Sequence, residues 1–124
     1  MYRHLKSITF VLCIAAGMPA WADGHTASTL ADILTGMNHF PSEADKAALN
    51  EVAADATVSD NLRAIADAIA GIAHTPTAED QARLNGILAS DAASAQEKTL
   101  AKAVLRFEHK LTVEDAAALG SLAE

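Results

Sequence analysis

Three histidines recur at a fixed interval: His39, His74 and His109, each 35 residues from the next. Imidazole is a common ligand for zinc, copper and nickel, so a register-matched trio raises metal coordination at once. The same residues have a simpler use. Each stands where a helix is expected to end, and an imidazole there can bond free carbonyls and suit the negative end of the helix dipole. Spacing bears on the choice. Nitrogens around a tetrahedral zinc ion lie roughly 3.3 Å apart, given bonds of about 2.0–2.1 Å. Helices in an open stack lie about 8–10 Å apart, which holds equivalent atoms of successive copies at least that far from one another. Only tight curvature escapes this limit, so the three histidines are expected to be structural corners, with a shared metal ion as the sharper alternative.

His25 falls outside this register; its equivalents are Asp60 and Ala95. Cleavage after Ala22 would make Asp23-Gly24-His25 the new N-terminus. The free amine, the amide nitrogens of residues two and three and the imidazole then form a square-planar set that suits Cu(II) or Ni(II). This resembles the amino-terminal copper- and nickel-binding motif of albumins and some small peptides.

Cleavage at that point is what the first residues predict. Arg3, His4 and Lys6 form a basic start, Ser7 to Met18 is mostly apolar, and Ala20-Trp21-Ala22 is a small-x-small cleavage signal. The apolar run is too short to span a bilayer as a stable helix. Residues 1–22 are therefore expected to be a secretory signal peptide, and the mature chain to be periplasmic or secreted with no stable membrane anchor. Cys13 and Trp21 lie before the cut. The mature part then has no thiolate metal site, no disulfide and no cysteine nucleophile.

Charge narrows the partners. All 16 acidic residues lie after Ala22 against seven basic ones, a formal charge of −9 for residues 23–124. Such a surface repels phosphate backbones, and with Phe40 and Phe107 as its only aromatics it offers no stacking platform. Nucleic acid is excluded. The charge suits cationic partners or metal ions.

The elements that must carry these residues follow from the repeat. Residues 30–64 laid over 65–99 give 11 identities without a gap, and a third copy runs from Leu100 to Glu124. Ala31/66/101, His39/74/109, Asp45/80/115, Ala47/82/117 and Leu49/84/119 are identical in all three. Within each copy apolar residues recur at helical spacing: Leu30, Ile33, Leu34 and Met37; Ile65, Ile69 and Ile72; Leu100, Val104 and Phe107. Pro41 and Pro76 bar continuation beyond the histidine in two copies. Ser42, Thr77 and Thr112 then occupy N-cap positions. Asp45, Asp80 and Asp115 follow three residues later, a capping-box-like start to a second helix. The polar stretches near 57–60 and 90–96 turn the chain into the next copy.

The expected fold is all-α: three tandem 35-residue helical hairpins, six helices in all, as a short α-solenoid-like right-angle stack or a compact bundle. The domain spans residues 30–124 (copies 30–64, 65–99 and 100–124), preceded by a tail over 23–29. One hairpin cannot bury its own apolar face, so the copies must pack on one another. They resemble the general class of helical-hairpin repeats, without the Trp/Gly/Tyr/Ala pattern of tetratricopeptide repeats.

Function is less constrained. The corner residues His39, His74, His109, Ser42, Thr77, Thr112, Asp45, Asp80 and Asp115 recur together, whereas a catalytic set breaks symmetry. No Gly-rich phosphate loop, haem-attachment motif or His-Glu-x-x-His zinc motif is present. The expectation is a non-catalytic, exported interaction protein with a protein or peptide partner and the possibility of end-to-end self-association. The alternative is Cu(II) or Ni(II) binding through Asp23, Gly24 and His25.

Overall fold

The computed structural model describes residues 19–123; the signal segment expected over 1–22 lies outside it up to Met18. Six helices follow one another: α1 (Pro19–Gly36), α2 (Glu43–Ala54), α3 (Asp60–Ala70), α4 (Ala78–Ala89), α5 (Ala95–Leu105) and α6 (Val113–Ala123). Their starts obey the local chemistry. The hydroxyls of Ser42, Thr77 and Thr112 accept the backbone N–H of Asp45, Asp80 and Asp115, each at 3.1 Å. Ser59 and Ser94 cap α3 and α5 in the same way through Leu62 and Glu97. A cap of this kind contributes about 1 kcal/mol.

Helices α1, α3 and α5 pack against one another as an inner trio, and α2, α4 and α6 lie outside them. The inner helices carry the broad apolar stripe, so the centre is theirs. Equivalent positions are buried alike: Leu30, Ile65 and Leu100, then Ala31, Ala66 and Ala101, then Leu34, Ile69 and Val104 are all fully enclosed. Met37, Ile72 and Phe107 follow toward the histidine end. The alanine column lets the three backbones approach closely, and each outer helix adds a buried leucine, Leu49, Leu84 or Leu119.

The repeat length is as the sequence implies, but the closest pairs straddle the copy boundaries. Helix α2 packs along α3 and α4 along α5, each joined by a short turn; α1 and α2 of one copy touch much less. The third such pair is α6 with α1, the two ends of the chain. That contact closes the ring. Of the two expected arrangements the molecule takes the compact bundle, with approximate threefold symmetry and every copy flanked by the other two.

Residues 23–29, expected as a tail, are helical within α1, with Thr26 and Ala27 buried. The reason lies in the symmetry. Asp60 and Ala95 begin α3 and α5, and their equivalent is His25, so the first inner helix needs residues from about there to match the other two.

Candidate metal centre

All three inner helices stop short of their histidines, at Gly36, Ala70 and Leu105. Three or four residues further on, the chain turns through His39, His74 and His109 with φ of 66, 74 and 68°, the only positive values among the described non-glycine residues. This left-handed region costs an ordinary L-residue about 1–2 kcal/mol, although histidine tolerates it better than most. Such outliers persist only where the surroundings over-determine them. Here they do. The N–H of His39 donates to the carbonyl of His109 at 2.5 Å, that of His74 to His39 at 2.7 Å and that of His109 to His74 at 2.7 Å. The three corners are stitched into a closed triangle of main-chain hydrogen bonds.

The side chains gather above this triangle. Ring centroids lie 4.9–5.1 Å apart in edge-on pairs. One ring nitrogen from each residue falls within 4.8 Å of the other two, and all three histidines are exposed. Nδ1 of His74 and Nδ1 of His109 are 3.0 Å apart. Without an ion, one of that pair must donate a proton to the other. With an ion, the separation already suits two ligands of a tetrahedral centre, and one ring nitrogen of His39 lies within 4.8 Å of each of the other two histidines.

The expectation that equivalent atoms stay a helix spacing apart is corrected here. It holds for copies related by translation along a stack. Copies related by rotation differ, because atoms near the axis meet however far apart the helices stand. The histidines turn the chain through their backbone, and their imidazoles face one another instead of bonding helix carbonyls.

Electrostatics favours a cation. The three inner helices run parallel, since all reach this triangle by their C-terminal ends, and each such end carries roughly half a negative charge. The nearest repeated acids do not join the centre. Asp80 and Asp115 are buried beside their own helix starts, paired with Arg83 at 2.6 Å and Arg106 at 3.4 Å, and Asp45 is half-buried. None returns its carboxylate to the cap residue, so the expected reciprocal box is half-made at Ser42, Thr77 and Thr112. Ser94 and Glu97 form the complete one.

Glu97 belongs to a second polar cluster, at the opposite pole, which sequence reasoning missed. Its carboxylate accepts from the Ser59 hydroxyl at 2.7 Å, the Ser94 N–H at 2.8 Å and the Asn61 amide at 3.1 Å. Asp23 accepts the Ser59 N–H at 3.0 Å. Burial pushes the Glu97 carboxyl up, but these donors outweigh it and hold the group below its usual value. The detectable signal was that Glu97 stands in a column otherwise filled by Ala27 and Leu62. Asp60 and Glu97 stand in the first turns of α3 and α5, where a carboxylate suits the positive end of the helix dipole.

Asp23, Gly24 and His25 lie at that far pole and form no ligand group with the central histidines. His25 is exposed, and all three residues are helical. A square-planar wrap would require the stretch of α1 from Asp23 to His25 to unwind and Asp23 to release Ser59. Comparison with protein-family models, curated proteins and solved structures finds no match to this chain.

Proposed function

We propose that this protein binds one divalent transition-metal ion, zinc before copper or nickel, at His39, His74 and His109. The convergence of three ring nitrogens within 4.8 Å carries the reading. Three neutral nitrogens from one side suit a tetrahedral ion with one position open, and fit poorly with the square plane preferred by Cu(II) and Ni(II). Strained left-handed corners support it further, since a corner alone is built more cheaply with glycine or asparagine.

The setting we favour remains the periplasm or the outside of the cell. Of the described residues, removal of 1–22 would take only Pro19 to Ala22, the start of α1, which has no counterpart in the other copies. Among the described residues no helix is long and apolar enough to cross a membrane. A scaffold that holds a protein or peptide partner on an exposed face is the second reading, and the closed ring offers the histidine pole as its distinctive surface.

Calorimetric titration with Zn(II) of the chelator-stripped protein should give one site per chain, lost in His74→Ala and in His109→Ala. Unchanged binding in both variants, or none in the parent, would refute it. Co(II) substitution adds a check, because four-coordinate cobalt absorbs visible light far more strongly than six-coordinate cobalt.

A further inference from the structure

The ligands are symmetric, but the ring of residues around them is not. Position by position the residues before the histidines are Asn38, Ala73 and Glu108, and those after are Phe40, Thr75 and Lys110; all six are exposed. Phe40 is 59% exposed and is one of two large apolar side chains left so open among the described residues. Threefold symmetry therefore stops at the histidines: next to one of them in the chain stands an exposed aromatic ring, Phe40, and next to another an exposed ammonium, Lys110. This asymmetry is what a reactive site needs and what the repeated corner by itself lacks.

Coordination chemistry points the same way. Structural zinc sites are closed by four protein ligands; sites with three keep a position for water or substrate. Here the three donors are neutral, so the ion keeps its full double charge and its power to polarise what binds opposite them. The donors are exposed, so that position faces solvent.

Resting on the metal reading above, we propose that the zinc-loaded protein is a Lewis-acid centre that hydrolyses small uncharged esters, aryl esters before alkyl ones. Water held on the ion supplies the oxygen that bonds to the carbonyl carbon, and the bond from that carbon to the alcohol oxygen breaks. One water is consumed, and carboxylate, alcohol and one proton leave; no oxidant or reductant is involved. Phe40 offers contact to the aryl group, and Lys110 offers positive charge to the oxygen on which negative charge develops. The strongly acidic surface selects against anionic substrates.

Two measurements on the same protein test this separately from metal binding. The first follows 4-nitrophenyl acetate hydrolysis by the protein loaded with one equivalent of Zn(II), against stripped protein and against free Zn(II). The expected result is a zinc-dependent rate about tenfold above the same concentration of free ion, abolished by His74→Ala and by His109→Ala. The second uses the Co(II) form: azide, a small anion that binds open metal positions, should shift the visible spectrum at one per chain and inhibit hydrolysis over the same concentration range. Phe40→Ala should raise KM severalfold with zinc affinity and the azide response unchanged. If calorimetry shows one bound zinc but neither hydrolysis nor an azide response appears, the inference is wrong and the metal reading stands. A rate that survives the loss of His74 or His109 overturns it also, because the activity then comes from elsewhere. Absence of zinc binding in the parent refutes both.

Discussion

Replacing His74 by glycine, and separately by alanine, distinguishes a corner from a ligand. The residue sits at φ 74°. Alanine there bears the left-handed strain of about 1–2 kcal/mol without histidine's partial tolerance. Glycine bears none, though it loses about 0.5–1 kcal/mol through greater freedom of the unfolded chain. In metal-free protein the glycine variant should therefore match the parent to within about 1 kcal/mol, with alanine the least stable of the three. Zinc changes the order. A ligand that binds only the folded state stabilises it by about 2.7 kcal/mol at one hundred times Kd. For a domain near one hundred residues this raises Tm by roughly 10–20 °C. Thermal unfolding followed by circular dichroism, with and without Zn(II), should show that rise in the parent and in neither variant. A glycine variant that keeps the zinc-induced rise would refute the assignment of His74 as a ligand. An unshifted parent at saturating zinc would refute the site.

The opposite pole gives its own predictions. Glu97→Ala removes the acceptor of three donors and should cost roughly 2–3 kcal/mol in urea unfolding at pH 7, with Glu97→Gln milder. Because the folded Glu97 carboxyl titrates below its ordinary value of 4.5, its contribution is fully present above that value and is lost as pH falls through the lower folded one. Glu97→Gln should accordingly flatten the fall in stability below about pH 4.5, and an unchanged acid limb would contradict the role given to these hydrogen bonds. Leu84 is fully buried on an outer helix, so Leu84→Ala should cost about 2–5 kcal/mol in the same unfolding measurement. If mass spectrometry places the mature N-terminus at Asp23, Cu(II) should give a one-to-one square-planar visible band that His25→Ala abolishes. Since that wrap unwinds the start of α1, copper should leave Tm unchanged or lower it, opposite in sign to zinc.

Much of the architecture was legible in the residues. Apolar spacing, three repeated caps and a gapless 35-residue period identify six helices, because helix periodicity and capping are local properties written within a few residues. The N-caps Ser42, Thr77 and Thr112 needed nothing beyond the three residues that follow each. The hairpin boundaries were less legible. Period alone cannot say whether α2 belongs with α1 or with α3, since a repeat may be cut at any phase; that depends on which loop lets two apolar stripes lie side by side. Glu97 was readable as a polar residue in an apolar column, but its partners Ser59 and Asn61 come from another copy.

The histidines divide along the same line. Sequence by itself determined that they recur in register, end the same helix and precede the same cap, which makes them equivalent corners. Whether equivalent corners are neighbours is a property of the symmetry operation relating the copies, and no single copy contains it. Translation would have left them a helix spacing apart. The packing of α6 on α1 makes the operation a rotation, the axis passes beside all three turns, and three separated imidazoles become one donor set.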